Sequence, residues 1–124
     1  MSYDYGGLDL QYASTAAAIV QYSIVEGSGN AQTVLAAADA TAASPLFGIS
    51  QDAVTSAGGT VTVRVSGTSK VTLGGTVYTG DFLSATTAGV AVATTTGGQA
   101  IIGKALQGGV SGDVVACTVN PGSI

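Results

Sequence analysis

The chain has 124 residues and a formal net charge of −4, with three basic side chains, seven acidic ones, one cysteine and no histidine. This composition excludes imidazole metal sites, Ser-His-Asp and Cys-His catalysis, and any disulfide within the chain. Three basic residues are too few to hold nucleic acid through its phosphates, so we expect no nucleic-acid partner.

Small and β-branched residues dominate the sequence. Ala, Gly, Thr, Val and Ser together make up about two thirds of it, and charged residues only 8%. A charged fraction of about a quarter is typical of globular domains, so a surface this poor in charge indicates that partners cover part of it. The length fits one domain.

Residues 1–15 differ from the rest of the chain, because they hold three of the five tyrosines and a pair of leucines. We predict an extended N-terminal arm over residues 1–15 and a β domain over residues 16–124. The alternative is that residues 1–15 form the first strand of the domain or a frayed tail. The predicted contact residues of the arm are Tyr3, Tyr5, Leu8, Leu10 and Tyr12.

After the arm, short β-branched runs alternate with turns of small residues. The first predicted strands are residues 19–25, 32–35 and 46–50. Residues 36–44 are rich in alanine, which favours a helical turn, but Ser44 and Pro45 favour a loop. Residues 51–59 are predicted to form a loop.

The clearest strand signal lies in residues 60–66. Val61, Val63 and Val65 alternate with Thr62 and Arg64, which is the period expected of a half-buried strand. Residues 67–68 are predicted to turn the chain, so that residues 60–73 form a hairpin. Arg64 is on the polar face of this strand and is either a solubilising charge or an interface anchor.

Five further short strands are predicted, at residues 76–78, 82–85, 90–93, 100–106 and 114–119. A weak internal echo links the segments 80–86 and 112–118, since a Gly-Asp pair precedes a strand in both. Gly permits a positive φ and Asp can accept a hydrogen bond from nearby backbone, so we expect two similar turns. The pattern predicts an all-β fold, a single small sandwich or barrel.

No residue pattern in the sequence indicates catalysis. The acidic residues fall in the predicted arm, loops and turns, and neither Lys70 nor Lys104 follows a serine by three positions. Nucleotide-binding glycine motifs and a calcium loop are missing from the sequence, and the apolar run at residues 16–20 is far shorter than a membrane span. We therefore expect no enzymatic activity, cofactor, metal or membrane.

The segment 46–119 resembles the small head decoration, or cement, proteins of tailed bacteriophages. The residues that carry the resemblance are Phe47-Gly48-Ile49, Thr79-Gly80-Asp81-Phe82-Leu83, Gly89-Val90-Ala91-Val92, Ile102-Gly103-Lys104-Ala105-Leu106 and Ser111-Gly112-Asp113-Val114-Val115. The resemblance implies a homo-oligomer, with a trimer favoured, on the outer capsid surface. Its partner would be the major capsid protein, whose neighbouring subunits it would clamp together.

A second interpretation of the same sequence is a β-rich tail, fibre or adhesin module that binds a receptor or a glycan. Such a module needs a ligand surface with exposed aromatic side chains, whereas a decoration protein needs a surface that complements capsid subunits. The sequence favours the decoration protein.

Overall fold

Short apolar and β-branched runs form strands throughout the part of the chain that the structure describes. This computed structural model describes residues 6–15, 18–27, 33–36, 46–56 and 58–123. The strands are β1 (Gly7–Ser14), β2 (Ile24–Gly27), β3 (Thr33–Ala36), β4 (Leu46–Ser50), β5 (Thr60–Thr72), β6 (Phe82–Thr86), β7 (Val90–Thr94), β8 (Ala100–Ile101), β9 (Gly103–Lys104), β10 (Val114–Val119) and β11 (Gly122–Ser123). The prediction of an all-β fold is confirmed.

The strands form three sheets, which do not close into one barrel in the described part of the chain. The largest sheet has six strands in the order β1-β3-β2-β4-β5-β10, and β1 pairs with β5 as well. The order β7-β6-β9 gives a three-stranded sheet, and β11 pairs with β8. Residues 36–44, where a helical turn and a loop were alternatives, fall outside the described residues from position 37 onward.

The first strand corrects the prediction of an arm for residues 7–14. It pairs antiparallel with β5, from Gly7 opposite Gly67 to Ala13 opposite Thr60, and its end runs parallel to β3. Two neighbouring strands satisfy backbone hydrogen bonds that a separate arm would leave to solvent or to a partner. The first-strand alternative therefore describes residues 7–14. Residues 1–5 lie outside the described residues, so an arm formed by them stays a prediction.

The hairpin predicted over residues 60–73 is wrong, because β5 runs through Gly67 as one strand of 13 residues. Gly67 has a φ of +106°, yet the chain does not reverse there. Val61 and Val63 on one side of Gly67, and Val71 on the other, are all fully buried. These odd-numbered positions keep one alternation phase across the glycine, as a continuous strand requires.

The buried side chains form two core clusters that meet along β5. Val61 and Val63 belong to the smaller cluster, against which Tyr12 and Phe47 also pack. Val71 belongs to the larger cluster, which also contains Ile24 of β2, Ile49 of β4 and side chains of the C-terminal strands. β5 therefore contributes to both clusters.

The predicted strand at residues 19–25 is interrupted at Tyr22. Ile19 makes an isolated bridge with Val54, and β2 begins only at Ile24. Tyr22 has a φ of +63°, in the left-handed region that non-glycine residues seldom adopt and that ends an extended strand. Its N–H donates to the carbonyl of Ser50, and its own carbonyl accepts from the N–H of Thr72, so strands on both sides hold it there.

The prediction of two similar Gly-Asp turns is confirmed. In the first, the carboxylate of Asp81 accepts a hydrogen bond from the N–H of Tyr78 at 2.9 Å. In the second, the carboxylate of Asp113 accepts one from the N–H of Val110 at 3.0 Å. The intervening glycines, at positions 80 and 112, have φ values of +93° and +92°. The same closure of a turn by an aspartate side chain thus occurs twice, 32 residues apart.

The two turns are also related by their long-range hydrogen bonds. The backbone pairs are Leu73 with Asp113, Ala105 with Asp81, and Val77 with Gly109. Adding 32 to Leu73 gives Ala105, and subtracting 32 from Asp113 gives Asp81, so exchanging the two segments reproduces the pairing. The sequence echo therefore corresponds to an approximate twofold relation within the domain.

Cys117 lies on β10 in the larger core cluster and has no exposed surface. Burial raises the pKa of its thiol to about 12, because the apolar surroundings disfavour the thiolate. We expect the folded protein to react with an aromatic disulfide reagent at pH 8 at least about 100-fold more slowly than the denatured chain, since the thiolate is the nucleophile. Equal rates in buffer and in denaturant would contradict this placement.

Candidate protein-binding surface

The N-terminal end of β1 presents apolar side chains to solvent. Leu8 is 53% exposed and Leu10 is 39% exposed, whereas Ser14 at the other end of the strand is buried. Leu10 lies opposite the buried Val63 of β5. Two neighbouring exposed leucines on a paired strand form a surface that a protein partner could cover. We call Leu8 and Leu10 the leucine pair.

Tyr12, two residues further along β1, is part of the core instead. It lies opposite the buried Val61, and its ring meets that of Phe47 at a centroid distance of 4.9 Å and an interplanar angle of 81°. This edge-to-face contact is a favoured geometry for aromatic pairs. Tyr12 therefore anchors β1 against the smaller core cluster.

Arg64 is held within the chain by Asp9. Its Nε donates to Oδ1 of Asp9 at 2.7 Å and its Nη2 donates to Oδ2 at 3.0 Å, which is a bidentate pair. Its Nη1 also donates to the carbonyl of Thr68 at 3.0 Å. These bonds fasten β1 to β5 close to the paired residues Gly7 and Gly67.

The ion pair shifts the titration of both partners. The hydrogen bond from Arg64, more than its charge, lowers the pKa of Asp9, while partial burial opposes the shift. The pKa of Arg64 is raised, chiefly by the hydrogen bond to Asp9. The two shifts agree, since each group favours the charged form of the other.

Replacing Asp9 by asparagine should lower the free energy of unfolding by about 1 kcal/mol at pH 7, the upper end for a solvent-screened pair whose carboxylate is 35% exposed. Because the folded state lowers the pKa of Asp9, this stabilisation is present above the ordinary value of 3.8 and is lost as the pH falls through the folded value. Denaturant melts of wild type and Asp9→Asn should therefore converge once the pH lies below the folded pKa of Asp9. A gap that persists at that pH would show that the carboxylate is not its source.

The structure thus distributes the six predicted interface residues over different roles. Leu8 and Leu10 are exposed, Tyr12 packs in the core, and Arg64 is paired with Asp9. Tyr3 and Tyr5 lie outside the described residues. Arg64 joins two strands through its pair with Asp9, and a role for it at an interface stays a prediction.

A second exposed apolar surface, which the sequence did not predict, lies on the repeated turns. Tyr78 is 70% exposed and Val110 is 56% exposed. They occupy equivalent places in the two Gly-Asp turns, and the bridge between Val77 and Gly109 brings the turns side by side. The echo at positions 80–81 and 112–113 was the available signal, because it gives residues 78 and 110 equivalent positions in the two turns. Their proximity in space depends on the bridge between the turns.

No group of three or more Cys, Asp or Glu side chains is placed to hold a metal ion among residues 6–15, 18–27, 33–36, 46–56 and 58–123. Nor does any helix in these ranges have the length and apolar character needed to cross a membrane.

No protein-family model matches the sequence, and no curated protein matches it. Among solved structures, the chain is similar to the crystal structure of the head fibre gp8.5 N base of bacteriophage phi29, with a TM-score of 0.71 and 17% sequence identity. The match covers 91% of this chain and 93% of the phi29 chain. This protein therefore shares the fold of a phage head fibre base.

Proposed function

We propose that this protein is a structural component of a phage virion, located on the outer surface of the capsid. The similarity in fold to the phi29 head fibre base, over nearly the whole length of both chains, is the observation that carries the proposal. The resemblance of residues 46–119 to head decoration proteins supports it independently, because that resemblance was found in the sequence. Both point to the phage head.

We propose further that the protein binds the major capsid protein and clamps neighbouring subunits as a homo-oligomer, with a trimer favoured. The leucine pair supports this role, because its exposed apolar surface would be buried by a capsid subunit. Burying apolar surface contributes about 25 cal/mol per Å² before the costs of association, and many identical copies on one capsid act together. The few basic residues suit an outer location away from the genome.

A fibre role is the second candidate, and the name of the phi29 structure favours it. In this role, the protein would attach to the capsid and support a distal part that binds a receptor or glycan. Exposed Tyr78 is a suitable platform for a sugar ring. The two candidates share attachment to the head and differ in whether the protein stabilises the capsid or only carries a fibre.

Purified heads that lack this protein provide the test. We expect the protein to co-sediment with such heads at a saturating, fixed copy number and to raise the temperature at which they release DNA. Binding without a gain in heat resistance would select the fibre role. No binding would overturn both. Sedimentation equilibrium should give about 36 kDa, three times the 11.9 kDa chain, if the trimer is present.

A further inference from the structure

A surface pocket opens beside the first Gly-Asp turn, where β6 begins and β7 ends. Its volume is about 250 Å³. The residues that line it are Gly80, Asp81, Phe82, Ala93, Thr94 and Thr95. The turn contributes a carboxylate, β6 a half-buried aromatic ring, and the residue after β7 an exposed hydroxyl. The pocket wall therefore combines one aromatic ring with oxygen-bearing side chains.

The strand register fixes the neighbours of the Phe82 ring. Phe82 lies opposite Thr94 of β7 on one side and opposite Lys104 of β9 on the other, because β6 is the middle strand of its sheet. The ammonium of Lys104 lies 5.1 Å from the centre of the ring. Lys104 thus approaches the ring from the β9 side, whereas the other strand residues of the pocket belong to β7 or follow it.

The second Gly-Asp turn shows which of these features the fold does not require. Asp81 and Asp113 close their turns in the same way, each by accepting a hydrogen bond from the backbone N–H three residues earlier. The next residue is Phe82 in the first turn and Val114, which is 47% exposed, in the second. Because the second turn forms without an aromatic side chain at this place, Phe82 is the feature that distinguishes the pocket.

The pocket offers hydrogen-bonding groups beyond those that the turn uses. The N–H of Tyr78 donates to Oδ2 of Asp81, and Oδ1 takes no part in that bond. The hydroxyl of Thr94 is engaged, since it donates to Oε1 of Gln99 at 2.6 Å, but the next residue, Thr95, is exposed. A carboxylate oxygen is a strong acceptor for hydroxyl donors, and a threonine hydroxyl can both donate and accept.

These groups match a neutral sugar ring better than an ion. The carboxylate of Asp81 and the net charge of −4 would repel an anion, and Lys104 beside the Phe82 ring would disfavour a cation. A pyranose carries hydroxyl donors for the carboxylate and C–H groups that form an apolar face for an aromatic ring. The volume lies below the roughly 300–1,000 Å³ of pockets for drug-sized ligands, so a single ring suits it.

We propose that this pocket binds one neutral pyranose unit, with its C–H face against Phe82 and its hydroxyls donating to Asp81. The inference rests on the proposed function, since the outer surface of a virion is where sugars of a host cell are within reach. It goes beyond the fibre candidate, because this domain itself, and not only a distal part, would contact the sugar.

Simple glycosides test the pocket without any head. We expect at least one of the methyl glycosides of glucose, galactose, mannose and N-acetylglucosamine to shift the backbone amides of Gly80, Phe82 and Thr95 saturably when titrated into ¹⁵N-labelled full-length protein. Sorbitol, an open-chain polyol with similar hydroxyls and no rigid C–H face, should not. The absence of a saturable shift with all four glycosides, or equal shifts with sorbitol, would overturn the inference.

Matched variants test the named side chains with the glycoside that binds. Phe82→Leu keeps an apolar side chain on β6 and should weaken the affinity at least about fivefold, the size of one aromatic contact. Asp81→Asn keeps an oxygen that can close the turn and should weaken the affinity by about the same factor, because a charged acceptor binds hydroxyls more strongly.

The control is Asp113→Asn, which makes the same change in the equivalent turn and should leave the affinity unchanged. Melting temperatures show whether each variant is folded. If folded Asp81→Asn binds the glycoside as Asp113→Asn does, or if folded Phe82→Leu binds it as the wild type does, the pocket is not the sugar site.

Head binding separates this inference from the proposed function. If the protein binds heads and no glycoside, the inference fails while the proposed function stands. If it binds a glycoside and no heads, the proposed function fails, and the glycoside titration of the variants still decides whether this pocket holds the sugar.

Discussion

Replacing Gly67 by alanine should lower the free energy of unfolding by at least about 3 kcal/mol, the largest effect that we expect from a single methyl group in this protein. The φ of +106° at Gly67 is one that L residues rarely adopt. An added Cβ would also overlap the carbonyl oxygen of Gly6 and the Cα of Gly7. The strain and the overlap coincide where β1 pairs with β5, so relieving them requires the two strands to part.

Two other glycines separate the two causes. Gly98 has a φ of +81° and open space around it, so Gly98→Ala tests backbone strain alone and should cost about 1 kcal/mol. Gly97 has open space and no positive φ, so Gly97→Ala should change stability by less than about 0.5 kcal/mol. Denaturant melts of the three variants give the comparison. If Gly67→Ala lowers the free energy of unfolding no more than Gly98→Ala does, β1 and β5 do not pack closely at Gly67.

The double replacement Leu8→Gln and Leu10→Gln should weaken binding to phage heads roughly 30-fold. Burying a leucine fully stabilises by about 1.5–3 kcal/mol, and these two side chains have about half of that left to gain, which gives about 2 kcal/mol for the pair. Glutamine replaces the apolar end of the side chain with a polar amide and adds no charge. Co-sedimentation with heads over a range of protein concentrations measures the change.

The matched control is the double replacement Val110→Gln and Val114→Gln. It removes apolar surface of similar exposure from the second Gly-Asp turn. We expect this control to bind heads as the wild type does, and both double variants to melt within a few degrees of it. Stronger loss in the control would move the contact surface from β1 to the repeated turns. If both double variants bind heads as the wild type does, the leucine pair is not part of the interface.

The sequence predicted local structure well wherever neighbouring residues alone were enough to specify a strand or a turn. The predicted strand at residues 46–50 coincides with β4, and the strand at residues 114–119 coincides with β10. The two Gly-Asp turns were also predictable, since glycine and aspartate each supply a local requirement of the turn. In all these cases, the structure depends on residues that are adjacent in the chain.

Predictions that depended on distant partners were less successful. Gly67 was interpreted as part of a hairpin turn, yet in the structure it lets β1 approach β5 closely. The valine phase retained from Val61 to Val71 was available in the sequence and pointed to one strand. A glycine in the sequence, however, looks the same whether the chain turns there or a neighbouring strand packs closely against it.

The sequence by itself determined the all-β class, the period of the strands, the absence of histidine chemistry and the scarcity of positive charge. Only the tertiary structure decided that Asp9 would meet Arg64, 55 positions away, and that Asp81 and Phe82 would share a pocket with Thr95. The physical reason is that composition and periodicity report what each segment buries, whereas strand order and register determine which segments meet. Those depend on the packing of the whole domain.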